Sequence, residues 1–425
     1  MIHFLYNILL TFFLIFHIPY LLLQTLFKKQ PKKLMRERLG GFPDISSKNP
    51  IWVHAASVGE VLCALPLLKR IKKEIPDSEI VLTTMTATGN ETAKKLIPEA
   101  NWILFFPIDH PLIIWKALRK IRPRLFLIAE TELWPNLLRS CRRKGIPILL
   151  FNGRISEKSF RGYLFFKSFF KRCLHNISFF LMQTEEDRNR IVEIGAPPER
   201  TMVAGNIKFD QVSPSIDLKT TLEMSTFFGL QGNEAILIAG STHQGEEEIF
   251  IQVFKSLREL VPRLILILAP RHLNRLEEVE KILRDEGLSW RRRSSFPIQG
   301  RHETCSVILL DTMGELMRMY SLGTIVFIGG SLVSIGGHNP LEPLFFKKCV
   351  LFGPYMFNFL EISRHLIAER GALLVNNREE LSSQLKRLLS DERARNEIGE
   401  NGYRFIQKHR GATEKIFEKI RPFLT

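Results

Sequence analysis

From Ile51 onward the chain repeats one pattern: a short apolar run, a segment of helical length, then another apolar run. Runs of this kind occupy 51–54, 80–84, 102–106, 125–129, 148–152 and 179–182. A second series follows at 235–239, 264–269, 307–310, 324–329, 350–352 and 372–375. Strand–helix alternation implies a parallel sheet covered by helices on both faces. The polar stretch 212–225 contains Pro214, lacks a clear period and reads as a linker. A chain of 425 residues is also too long for one ordinary core. The expected class is α/β, with two doubly wound domains facing a cleft. Their expected bounds are 28–211 and 226–400, with terminal helices over 401–425.

Residues 2–27 carry no Asp, Glu, Lys or Arg and are rich in Leu, Ile and Phe. Such a length can cross a bilayer core as a helix, with Pro19 allowing a kink. A secretory signal would place positive charge before its apolar core and a small-residue cleavage site after it, and neither is present. Lys28, Lys29, Lys32, Lys33, Arg36 and Arg38 follow at once, so the positive-inside rule puts the remainder in the cytoplasm. Residues 1–27 therefore read as a membrane anchor helix, with shallower interfacial embedding as the second reading. The formal net charge of +16 favours nucleic acid, anionic lipid surfaces or phosphorylated substrates as partners. The 5 cysteines are scattered without a CxxC pair, which argues against a disulfide framework or a zinc ribbon.

In open α/β sheets, ligands bind beyond the carboxyl ends of the strands. The first such end carries Ser57-Val58-Gly59-Glu60. Ser57 and Glu60 fit a capping box, and Glu60 equally fits a carboxylate facing a cleft. The hydroxyl-rich 83–89 stretch suits an anion site or, more simply, turn and cap chemistry. Glu130 and Glu132 follow the 125–129 strand, where buried carboxylates need partners. Arg154 and Lys208 add positive groups near later strand ends, whereas the run Arg291-Arg292-Arg293 reads as a solvated surface.

The second half has five such motifs: 240–247, Ala269-Pro270-Arg271-His272, 311–316, Gly329-Gly330-Ser331 and 336–343. Glycines there admit a ligand to the backbone, and helix starts favour phosphate. Together they indicate a nucleotide site. His243, His272 and His338 show neither an HxxxH pair nor a nearby Cys ligand, so they read as hydrogen-bonding residues rather than metal ligands. No DxD occurs anywhere in the chain.

This ordered set resembles the 3-deoxy-D-manno-oct-2-ulosonic acid (Kdo) transferases of lipopolysaccharide assembly. It comprises Ser57 to Glu60, 83–89, Glu130 to Asn136, Lys208-Phe209-Asp210, Pro270-Arg271-His272, 311–316 and 336–342. The resemblance implies a GT-B glycosyltransferase of two Rossmann-like domains, taking CMP-Kdo as donor and a phosphorylated lipid A precursor (lipid IVA) as acceptor. It implies inverting transfer without a metal or other cofactor, at the inner-membrane surface and with no nucleic acid. Glu60 matches the general base. Pro270, Arg271, Met313, Gly314, Glu315, Asn339, Pro340, Leu341 and Glu342 match CMP-binding segments. Ser57, Gly59, Glu130, Glu132, Lys208, His272, Gly330 and Ser331 are further site candidates. The alternatives are a nucleotide-sugar epimerase on the same fold, and a tethered protein that binds anions through charge alone.

Overall fold

A computed structural model describes residues 2–27, 32–45, 49–211, 218–296 and 305–424. Two compact units result, Met1–Gln211 with His409–Thr425, and Val212–Lys408. The first holds seven strands: β1 (Ile51–His54), β2 (Ile80–Thr84), β3 (Trp102–Phe105), β4 (Leu125–Ala129), β5 (Ile148–Gly153), β6 (Phe179–Met182) and β7 (Thr201–Val203). They lie in the order β3-β2-β1-β4-β5-β6-β7, and every neighbouring pair is parallel.

Strand periodicity divides this sheet's core between its two faces. Ile51, Val53, Leu125 and Leu127 point into one apolar cluster, while Trp52, Phe126 and Ile128 point into the other. With both faces buried, β1 and β4 read as unbroken apolar runs, as a doubly covered parallel sheet requires.

The second unit repeats the design with β8 (Ile236–Thr242), β9 (Ile265–Pro270), β10 (Trp290–Arg292), β11 (Val307–Leu309), β12 (Ile325–Ile328), β13 (Cys349–Phe352) and β14 (Leu373–Leu374). Their order is β10-β11-β9-β8-β12-β13-β14, again parallel throughout. In each sheet the direction of winding reverses once, between β1 and β4 and between β8 and β12. Loops leaving adjacent strands diverge at such a switch point and open a crevice.

Three expectations need correction. β7 and β10 have no counterpart in the strand reading: each is a short outer strand without a continuous apolar run. The stretch 212–225 is not all linker: 212–217 lie outside the described residues, but a helix occupies Leu218–Phe227. Nor do residues 401–425 form a separate segment. The helix Glu392–His409 runs straight through position 400, and the helix Ala412–Ile420 returns to the first unit. There Ala412, Ile416, Phe417 and Ile420 join the core cluster beneath β1 and β4.

The amino-terminal helix spans Ile2–Phe27. Among the described residues no helix is long and apolar enough to cross a membrane, and the side chains of 17–32 lie outside the description. Over its first turns the helix turns its polar groups inward. The Tyr6 hydroxyl donates to Asp109 at 3.0 Å, and Asn7 accepts from Asn136 at 2.7 Å. Phe4, Leu5, Leu9, Phe12, Phe13, Ile15 and Phe16 remain exposed.

Asp210 ties the returning helix down, since its carboxylate accepts from the Gly411 N–H at 2.8 Å and the Thr413 N–H at 2.6 Å. Asp210→Ala leaves both donors unpaired and should lower stability by about 1–3 kcal/mol. Chemical denaturation checks this, and Asp210→Asn should recover part of the loss.

Candidate active site

At the first switch point, the Ser57 cap opens the helix Val58–Glu74 directly after β1. Glu60, only 8% exposed, accepts from the Ala56 N–H at 2.7 Å and from the Ser57 hydroxyl at 2.9 Å. Only half of the capping box forms: the Ser57 hydroxyl accepts the Glu60 N–H at 3.4 Å, while the Glu60 carboxylate reaches past the N-cap to the Ala56 N–H. It does not satisfy the carboxylate, however. Burial raises its pKa to about 7, and the neighbouring charges of Glu130 and Glu132 add to the rise against the opposing hydrogen bonds.

Glu130 leaves β4 with φ of +56°, in the left-handed region that a side chain other than glycine's occupies under strain. Burial raises its pKa too, opposed by the positive charges of Lys208 and Arg154. Glu132 is likewise raised, first by burial and then by Glu130. The structure thus gathers Ser57, Glu60, Glu130, Glu132, Arg154 and Lys208 around one set of strand ends. A chain of polar contacts positions the Lys208 segment. Gln183 donates to the Asn152 carbonyl, Asn206 donates to Gln183, and the Lys208 N–H donates to Asn206. Gly59 lies in the helix turn between Ser57 and Glu60.

The hydroxyls of 83–89 act structurally. Thr83 accepts from the Trp52 indole at 2.9 Å, Thr84 accepts from Asn90, and Thr86 caps the helix Ala87–Leu96. Turn and cap chemistry accounts for them.

At the second switch point Glu246 organises the loops. Its fully buried carboxylate accepts four backbone N–H groups: His243 at 3.0 Å, Gly330 at 2.6 Å, Ser331 at 3.0 Å and Leu332 at 2.9 Å. The loop after β12 is thereby clamped to the helix after β8. Gly329 passes so close that an added Cβ would sit 2.4 Å from the Ser241 carbonyl oxygen. Ser331 is buried by the same packing, accepting from the Gly353 N–H at 2.8 Å. Gly330 lies against the His243 and His338 rings.

Pro270 ends β9, leaving Arg271 and His272 exposed beyond it. Met313 is 67% exposed and Gly314 has φ of +85°, a turn open to solvent. Glu315 is held by Arg293 at 2.8 Å and by the Thr312 hydroxyl. Asn339 donates to Glu342 at 3.2 Å and accepts the Leu341 N–H at 3.1 Å, which fixes the turn through Pro340. Among the described residues no group of acidic, His or Cys side chains is arranged to hold a metal ion.

Sequence reasoning missed two roles. Arg293 stands in a run read as solvated surface, yet it pairs with Glu315 because the edge strand β10, paired with β11, brings 293 beside 315. Glu246 lay inside a motif noted for its glycines. Its signal was an acidic residue at the first helical position after a positive-φ glycine, Gly245.

The profile of the 3-deoxy-D-manno-octulosonic-acid transferase (kdotransferase) family matches residues 33–211. The chain is 36% identical over 401 residues to the 3-deoxy-D-manno-octulosonic acid transferase of Haemophilus influenzae, covering 93% of each protein. The chain belongs to this family. It is a glycosyltransferase. The Kdo transferase of Chlamydophila psittaci is 28% identical over 428 residues, covering 99% of this chain and 96% of that one. Among solved structures, a UDP-N-acetylglucosamine 2-epimerase from Listeria monocytogenes superposes with a TM-score of 0.57 at 14% identity. It covers 89% of this chain and 98% of that one. That likeness is one of fold: two Rossmann-like domains of GT-B type.

Glu246→Ala strands four buried backbone donors at once. A loss of at least about 2 kcal/mol in unfolding free energy is expected, together with loosened 329–332 backbone. Amide hydrogen exchange across 328–333 checks it: protection there should fall while protection of β9 is retained.

Proposed function

We propose that this Kdo transferase moves Kdo from CMP-Kdo to a phosphorylated lipid A precursor, with inversion and with Glu60 as general base. The observation that carries this reading is the Glu60 carboxyl, oriented by two hydrogen bonds and held near pH 7 by burial. A sugar hydroxyl is a weak nucleophile, and a base poised at the working pH is best matched to taking its proton. As the acceptor oxygen bonds to C2 of Kdo, its proton passes to Glu60. The C2–O bond to CMP breaks, and the electron pair leaves with the phosphate. Arg271 and the helix starts of the second domain would stabilise that charge. Lys208 and Arg154 balance Glu130 on the acceptor side. The absence of a DxD agrees with neutralisation by arginine rather than by a metal.

The acceptor and its setting follow from the same chemistry. Lipid A precursors are anionic, and a net charge of +16 gathers them electrostatically. The amino-terminal helix, with its phenylalanine-rich face outward, would hold the enzyme on the inner membrane with both domains in the cytoplasm.

The test is transfer from CMP-Kdo, generated in place, to the tetra-acylated precursor with chelator present, read by product mass. Glu60→Gln should lower turnover by about 10²-fold or more with CMP affinity kept. Near-normal turnover would assign Glu60 to capping alone. Wild-type kcat should rise with pH through about 7, as Glu60 ionises, and then level. Stability supplies an independent check. An acid raised on folding binds more protons in the native state, so its contribution falls as pH climbs from 4.5 to about 7. Glu60→Gln should remove that slope from a Tm–pH series.

A further inference from the structure

The helix Pro135–Arg143 starts where the loop carrying Glu130 and Glu132 ends, and its own sequence does not cap it. Trp134 stands at the N-cap position without a side-chain cap bond. Asp109, which precedes the helix Pro111–Ile121, supplies the cap instead. Its carboxylate, in a residue only 2% exposed, accepts the Asn136 N–H at 2.9 Å and the Leu137 N–H at 2.8 Å. The third donor to that carboxylate is the Tyr6 hydroxyl, at 3.0 Å. The Asn136 side-chain amide has two hydrogens to place. It donates to the Asp109 carbonyl at 2.5 Å and to the Asn7 side-chain oxygen at 2.7 Å. This buried cluster is therefore complete only with the amino-terminal helix seated on it.

From the helix start the contacts run to Glu60. Trp134 packs its ring on Phe106, centroids 5.2 Å apart, and Phe106 lies against His54 at the end of β1. Trp134 also opposes the rise in the proton affinity of Glu132. Glu130 and Glu132 face Glu60 and raise its pKa. The Cys63 thiol near it is neutral, its pKa raised to about 12, and Lys208 and Arg154 balance Glu130.

We infer that Tyr6 and Asn7 are positioning residues for the transfer reaction, setting through Asp109 and Asn136 the helix start that holds Trp134 and Glu132 beside Glu60. This rests on Glu60 serving as the base. The amino-terminal helix then has two separate tasks on two faces. Phe4, Leu5, Leu9 and Phe12 point outward, away from the cluster that Tyr6 and Asn7 complete. Asp109 depends on that completion. Burial raises its pKa to about 7 against its three donors, so losing the Tyr6 hydroxyl favours protonation and withdraws an acceptor from the helix start.

The test uses the full chain carrying Tyr6→Phe and Asn7→Ala together, with donor and tetra-acylated acceptor in detergent micelles. There kcat should fall about tenfold. Affinity for CMP and binding to anionic vesicles should stay at wild-type values. Exchange of the Asn136 and Leu137 amides should quicken about tenfold. The pH midpoint of kcat should drop below that of the wild type, because a loosened loop relieves both the burial of Glu60 and its repulsion by Glu132. Wild-type kcat in the variant overturns the inference and leaves the helix as a membrane contact alone. A lowered kcat with an unmoved midpoint reports lost stability, and one with a raised midpoint reports Asp109; either overturns it. Vesicle binding lost together with kcat assigns both residues to the membrane face and overturns it too. A folded wild type that transfers no Kdo overturns the transfer reading, and this role with it.

Discussion

Glu60 and Glu246 occupy equivalent places, each in the first turn of the helix that follows the first strand of its sheet. Both carboxylates are buried and both accept backbone N–H groups. What separates them is the number of donors. Four N–H groups surround Glu246 and fasten two loops to it, opposing the rise in proton affinity that burial imposes. Glu60 has one N–H and one hydroxyl, with two further carboxylates close by. A buried anion that is under-solvated and repelled has a proton affinity near neutrality. The first arrangement builds a loop, and the second leaves a base available.

Both arrangements rest on how a parallel sheet handles its polar backbone. Strands of β1, β4, β8 and β12 are buried on both faces, so the loops at their carboxyl ends carry the available polar chemistry. Positive φ at Glu130 marks where the chain leaves β4, while at Asn152 and Ser241 it accompanies register shifts near the ends of β5 and β8. At Asn152 the reason is visible: its side-chain oxygen accepts the Ile207 N–H and so helps set the segment that carries Lys208.

Charge is distributed to match. In the first domain, acidic groups cluster at the strand ends with Arg154 and Lys208 as counter-charges. In the second, the charge of Arg271 adds to burial in keeping His243 and His338 unprotonated. Under the proposed mechanism, proton abstraction draws on the former and binding of an anionic leaving group on the latter.

The sequence by itself determined the alternation, and with it the two sheets, because apolar runs of strand length between helical segments have few ways to be buried. It also placed the site motifs, since strand ends are legible wherever an apolar run stops at Gly, Pro or an acidic residue. The capping-box spacing at Ser57 and Glu60 was equally visible, yet spacing alone could not say whether the carboxylate was satisfied. That depended on Glu130 and Glu132, distant in sequence, arriving on the neighbouring strand end. The same holds for Arg293 against Glu315, for the return of the Ala412–Ile420 helix to the first domain, and for His243 against His338. Local pattern reports what a segment buries. Only the tertiary structure decides which charges share one low-dielectric space, and proton affinities are set there.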